Sequence, residues 1–138
     1  MRQEDKELLL KDLCSRLPYG VKGLHRGEKR ELLVMDSFGS YQVNEYDAWF
    51  DLNSVIFKPY LFPFSSMTDE EQEELKQEHS KDEMLYIECL ERTAKGDNSM
   101  RGKVITHYAM DWCNKNHFDY RGLIEKGLAI DATGLNVY

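Results

Sequence analysis

An α+β fold is predicted by three changes of pattern along the chain. Residues 4–16 repeat apolar side chains at helical spacing, and residues 20–62 break into short β-prone runs between turns. Helical signals, headed by a capping box, then return from residue 68. The expected architecture is an N-terminal helix, a small antiparallel β meander or partly closed SH3-like barrel over about residues 20–62, three to four helices, and a short extended C-terminal segment. All of this is expected in a single domain, residues 1–138, with a helix at 4–16, a β region at 20–62 and a helical region at 68–127.

The first element, EDKELLLKDLCSR, sets Leu9, Leu10, Leu13 and Cys14 on one stripe with charges opposite, and Pro18 and Gly20 end it. GVKGLH, RELLVMDS, YQVNEY and SVIFKPYLF follow, separated by RGEK and FGS turns in which Gly27 and Gly39 are expected at positive φ. Pro59 cannot donate to a ladder, so it is expected on an edge or at a bulge. Thr68 and Glu71 form the capping box, and Asp69, Glu70 and Glu71 suit the positive end of a helix dipole. A second box at Ser80 and Glu83 leaves residues 69–92 as two helices or one helix with a joint near His79, and Met84, Leu85, Ile87, Cys89 and Leu90 give the second part a broad apolar face. Gly96 and Ser99 read as a C-terminal cap and a new N-cap. The next helix, about residues 100–115, stripes Val104, Ile105, Tyr108, Ala109 and Trp112, and Asp119 is expected to cap a short helix through Ile124 that Gly127 ends. LAIDA reads as a closing strand or extended segment.

A chain of 138 residues supports one domain with a genuine core. Its hydrophobic fraction of 41% and aromatic fraction of 12% belong to folded proteins. No apolar run reaches the roughly 18 residues of a membrane span, and the charged N-terminus is not a signal peptide. A cytoplasmic location in the host cell is therefore expected. Cys14, Cys89 and Cys113 form no CxxC pair, so each reads as a small buried apolar residue, and neither a disulfide framework nor structural zinc is expected.

The net charge of −7 is concentrated. Residues 69–91 hold 10 acidic and 2 basic side chains, whereas the remainder is nearly neutral. Direct nucleic-acid binding, which needs a basic footprint, is not expected.

Chemistry-bearing residues gather at His117, Asp119, Tyr120 and Arg121, an acid–base group, a carboxylate, a stacking ring and a forked cation. With Tyr46 or Trp49 as a stacking surface they could hold a nucleotide-like ligand, and a homo-oligomer, which would favour such a site, stays open. The structural alternative is a corner where Asp119 caps a helix, Phe118, Leu123 and Ile124 fill the core, and Tyr120 and Arg121 cover its rim. His107 and Asp111 share a helix face, but Cys113 points elsewhere and no paired motif completes four donors, so no metal is expected. GDNSMRGK only superficially resembles a phosphate loop, because Val104 stands where the magnesium-binding hydroxyl belongs. No GxSxG, HExxH or dinucleotide-binding glycine pattern occurs, and no cofactor is expected. The acidic stretch, with Asp69, Glu70, Glu71, Glu73, Glu74 and Glu78, is either a solvated helix face or a surface that docks into a basic groove on a partner.

Three strings, LLLKDLCSRLPYGVK (Leu8–Lys22), KPYLFPFSSMT (Lys58–Thr68) and NKNHFDYRGLIEKGLAIDA (Asn114–Ala132), carry a resemblance over about 45 of the 138 residues. They resemble a family of short uncharacterised proteins met in phages, prophages and other mobile elements of gut anaerobic bacteria. The resemblance implies a small accessory protein and supplies no activity or catalytic residue. It also implies that the Phe118–Gly122 string serves a shared fold, with partner specificity in residues 69–103. The expected function is thus a non-enzymatic accessory protein that binds and modulates a host macromolecule, in its most concrete form an inhibitor of a host defence protein acting through the acidic helices. The alternative is a protein that binds or sequesters a nucleotide-like small molecule, and a hydrolase is the third reading.

Overall fold

The computed structural model describes residues 1–78 and 107–138. The chain forms two compact units, one made of Met1–Leu61 and Leu123–Tyr138 and the other of Phe62–Gly122.

The first unit is a helix and an open sheet. Helix α1 (Gln3–Arg16) runs into a 3-10 turn at Leu17–Tyr19, and Gly20, at φ 83°, turns the chain into the sheet. Strands β1 (Val21–His25), β2 (Glu28–Met35), β3 (Ser40–Val43), β4 (Phe50–Asp51), β5 (Lys58–Leu61) and β6 (Ile130–Asp131) follow. Their order is β4-β3-β2-β1-β5-β6. The first five pair antiparallel, and β6 joins β5 in parallel.

The expected antiparallel meander is present in β1 to β4, but the barrel is not. After β4 the chain returns to pair with β1, leaving β4 and β6 as separate edges of two residues each. Edges that short offer too few partners to close a sheet on itself.

Turn chemistry follows the glycines, with Gly27 at φ 79° and Gly39 at φ 93°. Pro59 departs from expectation, because it pairs with Gly23 in a strand that has neighbours on both sides. The Leu61 carbonyl accepts from Ala132 N–H at 2.8 Å, so by alternation the missing Pro59 donor also faces the β6 side. There β6 begins only opposite Tyr60, and Pro59 disrupts no ladder.

Leu9, Leu13, Val21, Leu32, Tyr41, Val43, Leu52 and Phe57 form the heart of this core, joined by Leu61, Leu123, Leu128 and Ala129. The inward stripe of α1 is Leu9, Asp12, Leu13 and Arg16, not the purely apolar one expected. Asp12 and Arg16 are both fully buried and paired at 2.9 Å, each offsetting the other's desolvation. That pair rotates Cys14 outward, so this thiol is exposed and not the buried apolar residue expected, whereas Cys113 is buried as expected and Cys89 lies outside the described residues. Gly23 shows why one strand position carries no side chain. A Cβ there would sit 2.4 Å from the Lys58 carbonyl oxygen and 2.7 Å from the Phe57 ring.

The second unit opens with a 3-10 turn at Phe64–Ser66 and contains α2 (Asp69–Glu78) and α3 (His107–Lys115). Both arms of the predicted capping box form, with Glu71 N–H donating to Thr68 Oγ1 at 3.2 Å and Thr68 N–H to Glu71 Oε1 at 3.0 Å. Its core is Phe64, Met67, Trp112, Cys113 and Phe118. The readings on residues 79–106, including the second capping box, the apolar face from Met84 to Leu90 and the Gly96–Ser99 break, lie outside the described residues, as do the side chains of Tyr108 and Ala109.

No helix forms from Asp119 to Ile124. Phe118 makes a parallel bridge with Phe62, and the Asp119 N–H donates to the Phe62 carbonyl at 2.9 Å, which holds the backbone extended. The chain then turns over residues 123–127, where Leu128 N–H reaches the Leu123 carbonyl at 2.9 Å and Gly127 sits at φ 72°. The expected C-terminal extended segment is realised as β6. No described helix is long and apolar enough to cross a membrane.

Candidate functional site

The group at 117–121 is built around Phe118. Its ring is 1% exposed and lies parallel between Phe64, at 5.7 Å and 6°, and Trp112, at 5.4 Å and 8°. Such a three-ring sandwich is a packing core with little room for a ligand between the rings. Around it, His117 takes a left-handed backbone at φ 64° so that its carbonyl accepts from Phe62 N–H at 2.8 Å. Asp119 is buried at 6% exposure. The Tyr120 hydroxyl donates to Asn114 Oδ1 at 2.9 Å, and the Arg121 guanidinium lies 4.5 Å from the Tyr120 ring centroid. The polar members are thus engaged in holding a corner, and Arg121 lies against the Tyr120 ring. Tyr46 and Trp49, the proposed stacking partners, belong to the sheet unit. His107 heads α3, but its side chain lies outside the described residues, and Cys113 is fully buried in the aromatic core.

The acidic face takes shape on α2. Asp69, Glu70, Glu73 and Glu74 are exposed, Glu71 is half-buried by its capping role, and the side chain of Glu78 lies outside the described residues. The capping box fixes where the helix starts and so fixes the angular spread of these carboxylates. Four exposed carboxylates within two turns create a negative surface whose pull on a basic partner weakens with salt.

The sheet unit holds a polar cluster that the sequence did not single out. His25, 1% exposed, lies 4.4 Å from the Phe50 ring and within 5.8 Å of Tyr41 and Tyr46. Tyr41 Oη donates to the Val55 carbonyl at 2.7 Å, so the 3.1 Å contact between His25 Nδ1 and Tyr41 Oη requires the imidazole to donate. That fixes the Nδ1–H tautomer and leaves the Nε2 lone pair buried, without a partner among the described residues. Burial lowers the His25 pKa, the neighbouring charges of Arg26 and Arg30 lower it further, and Glu28 opposes them. Burial also pushes Tyr41 up to about 12, so the phenol stays protonated and keeps its bond.

Two cations frame this cluster, with Arg26 5.0 Å from the Phe50 centroid and Arg30 5.5 Å from that of Tyr46. Arg30 also pairs with Glu28 and, at 3.7 Å, with Glu45. The available signal was the string HRGE, a two-residue turn with Arg where Asn or Gly is usual. The chain matches no family model, no curated protein and no solved structure.

Proposed function

We propose that the protein is a non-enzymatic binding protein that docks on a basic surface of a macromolecular partner through the acidic face of α2. The carrying observation is that Asp69, Glu70, Glu73 and Glu74 are all exposed on a helix whose start is fixed by both arms of a capping box. A fixed array of one sign accelerates encounter and selects a partner of opposite sign. A nucleotide-like ligand at 117–121 has less support, because the core takes Phe118 and Asp119 while Tyr120 and Arg121 engage each other. The resemblance to proteins of phages and mobile elements gives the context of an accessory role, and an inhibitor of a host defence protein is its most concrete form.

The test is charge reversal. The Glu70→Lys, Glu73→Lys, Glu74→Lys triple variant and the unaltered protein are each recovered from host-cell lysate at low and high salt and weighed by native mass spectrometry. The reading expects a stoichiometric macromolecule on the unaltered protein at low salt, less of it at high salt, and none on the variant. A partner kept equally by the variant, or no partner at low salt, would sink the idea.

A further inference from the structure

On the sheet unit, the β1–β2 turn and the segment entering β5 border an open groove of about 590 Å³. This lies in the roughly 300–1,000 Å³ range of small-molecule sites. Leu24, Val55, Ile56 and Ile130 supply an aliphatic lining, while Arg26, Lys58 and the Ser54 residue bring two positive charges and a hydroxyl. Among the described residues no carboxylate forms an ion pair with Arg26 or Lys58. Two unneutralised cations on one apolar groove, in a chain of net charge −7, form a local exception to the charge of the whole.

A second, independent observation concerns the backbone. His25 pairs with Glu28, so Arg26 and Gly27 alone make the turn, at φ 53° and 79°. Positive φ at both positions defines a turn that selects Asn–Gly, and an Arg in the first position is strained. The strained residue is also one of those that line the groove, and its guanidinium carbon lies 5.0 Å from the Phe50 ring centroid.

We propose that this groove binds a small aliphatic anion, an alkyl carboxylate or alkyl phosphate monoester, with the head group held by Arg26 and Lys58 and the chain on Leu24, Val55, Ile56 and Ile130. A nucleotide is a poorer fit, because no aromatic side chain among the described residues lines the groove to stack on a base. The groove shares no residue with the acidic face of α2, and its test does not depend on that reading.

The experiment titrates the full-length chain with sodium octanoate and with octyl phosphate, using 1-octanol and inorganic phosphate as controls. It is followed by calorimetry and by backbone amide shifts. At least one charged amphiphile is expected to bind saturably, shifting the amides of Arg26, Gly27, Ser54 and Lys58, and the tighter of the two identifies the head group. Octanol, which lacks the charge, is expected to bind at least about tenfold more weakly, the factor that loss of one charge-assisted contact gives. Inorganic phosphate, which lacks the chain, is expected to bind at least about tenfold more weakly through lost apolar burial. Arg26→Asn is the decisive variant, because Asn suits the turn. Affinity should fall at least about tenfold while the melting temperature holds or rises. Lys58→Gln should weaken binding similarly. Octanol binding as tightly as octanoate, undiminished affinity in Arg26→Asn, or no saturable binding of either anion would overturn the assignment.

Discussion

Two strings in this protein pair a His with an Arg and a left-handed Gly, His25-Arg26-Gly27 in the sheet unit and His117 to Gly122 in the other. They end in opposite roles. In the longer string Phe118 comes directly after the His and drops into a stack between Phe64 and Trp112, taking Asp119 out of solvent with it. In the shorter string nothing separates His from Arg. The ring of His25 is buried among Tyr41, Tyr46 and Phe50, and the next residue stands on an exposed turn beside a groove. Chemical residue types are therefore a weak guide to a site when an aromatic residue among them has a core to fill.

That contrast breaks most sharply at Phe118. Phe118→Ala should cost about 3–5 kcal/mol of stability, from lost burial and an unfilled gap in the stack. Urea denaturation followed by Trp112 signals would measure it, and a loss under about 1 kcal/mol would mean the corner is not a packing core. Gly23→Ala should come next, at about 1–3 kcal/mol for overpacking, because its methyl group meets the Lys58 carbonyl and the Phe57 ring. A rise in melting temperature would show that β1 and Phe57 do not approach as described.

The role of His25 can be tested by pH. Its folded pKa is lowered, so the unfolded chain takes up the proton first as pH falls. Stability is complete above the ordinary histidine value of about 6.5 and declines below it, down to the lowered folded value. His25→Gln should flatten that part of the curve, and an unchanged acid loss in the variant would assign it to other groups. The smallest effect should come at the capping box, where Thr68→Ala should cost about 1 kcal/mol and leave the sheet unit's amide shifts unmoved.

The local rules were readable in advance. The capping box, the left-handed Gly27 and Gly39, the end of α1 at Pro18 and Gly20, and the meander of β1 to β4 all follow from nearest-neighbour chemistry. What escaped depends on residues far apart in sequence. The Phe62–Phe118 bridge pre-empted the helix expected from Asp119, and the return of β5 to β1 left the sheet open. The buried Asp12–Arg16 pair turned Cys14 outward, since an i,i+4 pair looks the same in sequence whether it faces water or a core. Of the candidate surfaces, the exposure of Asp69, Glu70, Glu73 and Glu74 was legible in the charge pattern. The groove was not, because Leu24, Lys58 and Ile130 meet only through strand pairing.

The clasp between Phe62 and Phe118 has a further consequence. Strands β5 and β6 are adjacent in the sheet although residues 62–129 lie between them in the chain. Phe62 trades backbone bonds with His117 and Asp119, so the two ends of that long excursion are pinned to each other within their own unit. Closing a loop costs entropy that grows only with the logarithm of its length, about 0.6 kcal/mol per doubling, and a clasp at the neck removes most of even that dependence. Once that clasp has formed, the pairing of β6 with β5 depends little on how many residues lie between Phe62 and His117.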